Sequence, residues 1–192
     1  MGRKNMATER REDILDAFEQ CILERGIESS SFQRIAQVLG MDRKIISHYF
    51  GNREALIDAM TQRIFDTSDS LVDKTRTQME PSAGVMDLVN VFYDQEEKLR
   101  RAELLWAEIV AYATRSEVVR DRLRQSYEKI FWTVSEVLRR DYPNAPEDRL
   151  QATIYSIVTL LDRSSTFEWL GVMESPIESA KAAIETLLES LE

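Results

Sequence analysis

The chain has 192 residues, with 43% hydrophobic and 31% charged side chains, a globular composition with enough length for one or two cored domains. Six glycines and four prolines leave little turn material for a many-stranded sheet, and the single cysteine, Cys21, excludes an internal disulfide. The lone histidine, His48, excludes multi-histidine metal sites within one chain, and no apolar stretch is long enough for a membrane span or a secretory signal. A soluble cytoplasmic all-α protein without a cofactor or metal is the expectation.

Taken in chain order, nearly every segment reads as helix. The first runs from about Thr8 to Arg25, with Ile14, Leu15, Phe18, Cys21 and Ile22 on one stripe, and Gly26 stops it. Cys21 on that stripe reads as a small core residue rather than a redox switch. Ser29, Ser30 and Ser31 offer hydroxyl caps for a second helix, Phe32 to Leu39, ended by Gly40. Asp42 caps a third, Arg43 to Phe50, and its charge suits the helix dipole. Gly51 breaks that helix, and Asn52 caps a fourth from Arg53 toward Thr77. A turn at Pro81–Gly84 follows, then helices over Val85–Arg100, Arg101–Thr114 and Glu117–Arg140. Asp141–Pro146 is the clearest loop, Pro146 or Glu147 opens a long helix to Leu170, and Pro176 begins the last. A three-helix head and a longer helical body result.

Net charge is −9, but residues 1–55 hold nine basic against nine acidic side chains, so the excess belongs to the body. From Ser29 to Arg53 four basic residues face a single acid, Asp42. Screening acts over about 10 Å, so this local field attracts phosphate whatever the charge of the whole. Ser31 to Phe50 is two short helices joined by a glycine turn, the helix-turn-helix pattern. On the second of them Ile46, Tyr49 and Phe50 share one side, while Arg43, Lys44, Ser47 and His48 share the other, with Ile45 at its edge. Arg and Lys donate to guanine O6 and N7, and Ile45 fits a thymine methyl. Cap amides, Ser31, Tyr49 and Arg53 suit phosphate. The same spacing also fits an ordinary capped hairpin with solvated charges.

These residues resemble a known family. Arg11–Ala17, Gly26, Ile35-Ala36, Leu39-Gly40-Met41, His48-Tyr49-Phe50 and Arg53–Leu56 are similar to the N-terminal domain of the TetR (tetracycline-repressor) family. The resemblance implies a helix-turn-helix DNA-binding domain over 1–55 and a helical-bundle effector-binding and dimerisation domain over 56–192. It implies a homodimeric repressor of transcription, not an enzyme, that binds a near-palindromic operator in double-stranded DNA and is released by a small-molecule effector. By position, Arg43, Lys44, Ile45, Ser47 and His48 fall where the family reads bases. Ser31, Gln33, Tyr49 and Arg53 fall where it meets phosphate or the groove edge. Ser47 stands where tyrosine is frequent, Lys44-Ile45 replaces a smaller pair, and Arg53 replaces a usual lysine. The run Ile45–Gly51 is also similar to the choline-responsive repressors of betaine synthesis.

In the body, Phe65, Phe92, Trp106, Tyr112, Phe131, Trp132 and Tyr155 are candidates to line an effector pocket, or they are bundle core. Glu103, Glu108 and Asp162 suit a cationic ligand, or they pair with Arg100, Arg115 or Arg163. Ile177, Ala180, Ile184, Leu187 and Leu191 step by 3, 4, 3 and 4 residues, and Leu150, Ile154, Ile157, Val158 and Leu161 form a similar stripe. A dimer interface through Ile154, Val158, Leu161, Ile184, Leu187, Leu188 and Leu191 is one reading of these stripes; a cover for the protomer's own core is the other. Two reading heads give the contacts that one cannot, which favours the dimer. Rival functions are an adaptor or activator of the same fold acting through a protein partner, and an all-α enzyme. No nucleophile triad, phosphate-cradling loop or metal spacing supports the last.

Overall fold

The computed structural model describes residues 3–78, 80, 82–94 and 96–192. Pro81 of the expected turn lies outside the described residues. Among those residues there are nine helices and no strand: α1 (Arg3–Ser29), α2 (Phe32–Leu39), α3 (Arg43–Phe50), α4 (Arg53–Gln78), α5 (Val85–Tyr93), α6 (Glu96–Ala113), α7 (Glu117–Asp141), α8 (Glu147–Leu170) and α9 (Pro176–Glu189).

Local chemistry sets the boundaries around the head. Gly26, at φ 78° and ψ 163°, interrupts α1 where the expected stop falls, and a short helical stretch continues to Ser29. The Ser31 hydroxyl accepts the Arg34 amide at 3.3 Å, and Asp42 accepts the Lys44 amide at 2.7 Å. Gly40 ends α2 in the left-handed region, at φ 62° and ψ 33°, which costs glycine nothing. Asn52 accepts the Ala55 amide at 2.8 Å and so opens α4.

One boundary differs from expectation. The helix expected over Val85–Arg100 ends at Tyr93, and α6 starts at Glu96. No glycine or proline marks that break. Tyr93 is buried and its hydroxyl shares a hydrogen bond with Ser164 on α8, so distant packing ends this helix.

The chain forms two compact units, and they do not coincide with a division at residue 55. The first comprises 1–67 and 104–123, the second 68–103 and 124–192. In the first, Ile14, Phe18, Ile35, Ile46 and Leu56 build the head's core, and Leu105 of α6 is buried with them. That core therefore needs a helix from beyond the head, which the head's own pattern does not reveal. A second cluster there contains Phe65, Ile109, Ala113 and Val119. In the other unit, Val85, Val89 and Tyr93 of α5 pack with Val134 and Leu138 of α7 and with the apolar stripes of α8 and α9.

Candidate DNA interface

The site is built on α3. Ile46 and Phe50 are buried and anchor it to the head's core, which turns the opposite flank outward. Arg43, Lys44 and His48 are exposed, Ile45 is 39% exposed, and Ser47 and Tyr49 are half-buried. Among the described residues neither the Arg43 nor the Lys44 side chain pairs with a carboxylate. Arg11 of α1 holds the far end of the helix: its Nη1 donates to the Tyr49 carbonyl at 3.0 Å, and its guanidinium lies 4.2 Å from the centre of the Phe50 ring. His48 and Tyr49 meet edge to face, 5.5 Å between ring centres.

An open depression of about 350 Å³ gathers residues from the start of α2, from α3 and from the start of α4. Ser31, Gln33, Arg43, Ser47 and Arg53 line it, with Phe32, Gly51 and Asn52. Two helix N-termini lie at this depression, and their free amides and dipoles favour an anion there. Asn52 is the residue that sequence reasoning recognised only as a cap. Arg53 does not hang free: its Nη2 donates to the Ile27 carbonyl at 2.8 Å and lies 3.5 Å from the Glu28 carboxylate. The backbone thus aims it along the depression's edge.

The candidate pocket residues do not form one group. Phe65, Trp106 and Tyr112 belong to the first unit, where the Phe65 and Trp106 rings meet edge to face at 5.5 Å. Phe92, Phe131, Trp132 and Tyr155 belong to the second, where Phe92 and Phe131 are half-buried at its core. Trp132 is 47% exposed beneath the Arg76 guanidinium, and Tyr155 is 64% exposed. Glu108 accepts the Ile27 amide at 2.9 Å, so its carboxylate already has a backbone role. Asp162 accepts from the Tyr127 hydroxyl at 3.0 Å and lies 3.4 Å from Arg163. Glu103 is different. Its Oε2 is buried with no hydrogen-bond partner among the described residues, and burial pushes its carboxyl above the usual carboxylate range, with the charge of Asp162 adding to the effect. The Arg100 side chain lies outside the described residues.

The seven residues expected at a dimer interface are placed otherwise. Ile154, Val158, Leu161, Ile184, Leu188 and Leu191 are buried within one protomer, and Leu187 is half-buried. Their stripes close the second unit's own core, because α8 and α9 pack on α5 and α7. Among the described residues no three His, Cys, Asp or Glu side chains cluster as metal ligands, and no helix is long and apolar enough to cross a membrane.

Residues 14–60, which span the described head, match the family model "Bacterial regulatory proteins, tetR family". The head is a TetR-family DNA-binding domain. Its curated relatives agree over most of their length. An HTH-type transcriptional regulator BetI from Cronobacter sakazakii is 24% identical over 168 residues, which are 84% of this chain and 80% of that one. The HTH-type transcriptional regulator PksA of Bacillus subtilis is 28% identical over 124 residues, 64% of this chain and 58% of that one. The TetR fold extends over both units. A transcriptional regulator from Saccharomonospora viridis, solved in complex with choline, superposes with a TM-score of 0.78 at 17% identity, covering 95% of this chain and 96% of that one. A TetR-family regulator from a Rhodococcus species does so with a TM-score of 0.71 at 19% identity, covering 95% and 98%. The chain is a DNA-binding transcriptional regulator and not an enzyme, and α2 and α3 are its helix-turn-helix.

Proposed function

We propose that this regulator is a homodimeric repressor. Two α3 helices read a near-palindromic operator through Arg43, Lys44, Ile45, Ser47 and His48, while Ser31, Gln33, Tyr49 and Arg53 hold the phosphates. The observation that carries this is the outward flank of α3, whose two cations have no carboxylate partner among the described residues and whose opposite side is locked by Ile46 and Phe50. A rigid helix with free donors at one face suits a major groove. Work on chromosomal DNA makes the cytoplasm its place. Residues 1–55 act as the reading domain and 56–192 as the effector and dimer domain.

The second copy docks on the faces of α8 and α9 that the protomer leaves open. Tyr155, Phe167 and Leu170 on α8, and the small residues Ala182, Ala183 and Thr186 on α9, are exposed and suit close helix packing. The releasing effector is a small organic cation. The choline in the similar Saccharomonospora structure supports that class, and so do the second unit's acidic excess and the Glu103 oxygen that has no hydrogen-bond partner among the described residues.

A gel shift on the chain's own upstream DNA, titrated with choline, tests the whole reading. A discrete complex that competitor DNA does not remove and choline dissolves is expected. Equal affinity for every duplex overturns it, and an intact complex at saturating choline overturns the effector.

A further inference from the structure

We infer that Glu28 is a positioning carboxylate shared by two arginines, and that this sharing sets how firmly the head grips the DNA backbone. The inference rests on the DNA-binding reading above and adds a residue that neither faces a base nor lines the depression. Glu28 follows the Gly26 break in α1, in the short helical stretch that ends at Ser29. Its Oε1 pairs with Arg115 Nη2, just after α6, at 2.5 Å. Its Oε2 lies 3.5 Å from Arg53 Nη2, the same nitrogen that donates to the Ile27 carbonyl. All three residues belong to the first compact unit.

The distances are unequal, and that inequality carries the argument. Glu28 sits close to Arg115 and loosely on Arg53, so Arg115 holds most of the carboxylate's charge. Arg53 lines the depression beside Ser31, Gln33 and Arg43, where phosphate is to bind. A phosphate oxygen competes with Glu28 for the Arg53 donors, since one guanidinium cannot serve two anions at full strength. With Arg115 present, one carboxylate faces two guanidiniums and the cluster keeps a net positive charge toward DNA. Without Arg115, Glu28 turns wholly to Arg53 and cancels it. Arg115 therefore favours binding although it is not in the reading face, and Glu28 opposes it.

The pairs are exposed, so each change is modest. Glu28→Gln should tighten binding to any duplex about two- to fivefold, and Arg115→Ala should weaken it by about the same factor. In the Glu28→Gln background, Arg115→Ala should have no effect, because the group through which it acts is gone. The salt dependence gives a readout that a general loss of folding would not: Arg115→Ala should flatten the slope by up to about one per half-site as Arg53 withdraws from phosphate. Asp94→Asn, an exposed change of the same charge just after α5, should leave affinity unaltered. Fluorescence anisotropy with a labelled operator duplex and a random duplex, over a salt series, measures all of these. Equal effects of Arg115→Ala with and without Glu28 overturn the inference, as does an unmoved affinity in Glu28→Gln. If binding is lost in Lys44→Ala yet indifferent to Glu28 and Arg115, this inference alone falls. If the wild type binds no duplex, the DNA reading falls and takes it along.

Discussion

Glu108 of α6 accepts the amide of Ile27 at 2.9 Å, and its carboxylate oxygens lie 3.2 Å from where a Cβ on Gly26 would stand. One acidic side chain thus reads both the backbone conformation and the missing side chain of its neighbour. Gly26 sits in a region of positive φ and extended ψ that only glycine enters freely. Gly26→Ala should cost about 1–3 kcal/mol from backbone strain, with a further push against the carboxylate. Glu108→Ala leaves the part-buried Ile27 amide without its acceptor and should cost about 1–3 kcal/mol. Because both act on one turn, the double variant should lose less than the two losses combined. Urea denaturation followed by circular dichroism measures this, and strict additivity would separate the two residues.

On the proposed reading face, Lys44→Ala and Arg43→Ala should each cost about 1–3 kcal/mol at one base position per half-site, with little change elsewhere. A binding assay over an operator library with single-base changes gives the profile directly. A uniform loss across all sequences would move the residue from base contact to phosphate contact.

The helix-turn-helix was legible because each of its boundaries is local chemistry. Ser31, Gly40, Asp42 and Asn52 each act within a few residues of themselves, so α2 and α3 begin and end where the sequence predicts. What lay beyond reach depended on distant partners. The break after Tyr93 comes from α8, and the role of Glu108 comes from an amide 81 residues away. The stripe through Ile154 and Ile184 shows which face is apolar. Periodicity does not say whether that face meets its own chain or another, and here it meets its own.

Ile184 is fully buried in the protomer, so Ile184→Ala should cost about 2–5 kcal/mol of folding stability whatever the oligomeric state. Tyr155→Glu and Ala183→Glu fall on exposed positions, where surface changes alter protomer stability by no more than about 0.5 kcal/mol. They should yield folded monomers that no longer bind the operator. Light scattering at micromolar concentration decides the matter, and a dimer that survives both substitutions would place the interface elsewhere.

Glu147 gives the second unit an acid-sensitive contact. Arg139 grips its carboxylate with two hydrogen bonds, at 2.6 and 2.5 Å, and Gln151 adds a third at 3.0 Å. The Arg139 hydrogen bonds, and next that of Gln151, hold the carboxyl down at about 2. A value lower in the folded than in the unfolded chain means stability that is present above the ordinary value of 4.5 and lost as pH falls through about 2. Carboxyl-carbon NMR titration of Glu147 should show the low value, and Arg139→Ala should return it toward the ordinary one. A titration unmoved by Arg139→Ala would dismiss the contact in solution.

Glu103 should behave in the opposite sense. Burial, together with the charge of Asp162, raises its carboxyl above the ordinary value of 4.5. A raised folded value means a contribution fully present below 4.5 and lost as pH rises through the folded value. Glutamine keeps the shape and removes the titration, so the melting temperature of Glu103→Gln should gain on that of the wild type as pH climbs from 4 to 8. A bound cation reverses the balance, because it supplies the counter-charge that burial withholds from Glu103 Oε2. At pH 8, choline should then stabilise the wild type more than the variant. Its uncharged isostere 3,3-dimethylbutanol, equal in shape, should make no such distinction. Thermal melts over this pH series, with each of the two compounds, separate the outcomes. A melting difference flat in pH would show Glu103 well solvated, and equal stabilisation of both proteins by choline would move the cation away from it.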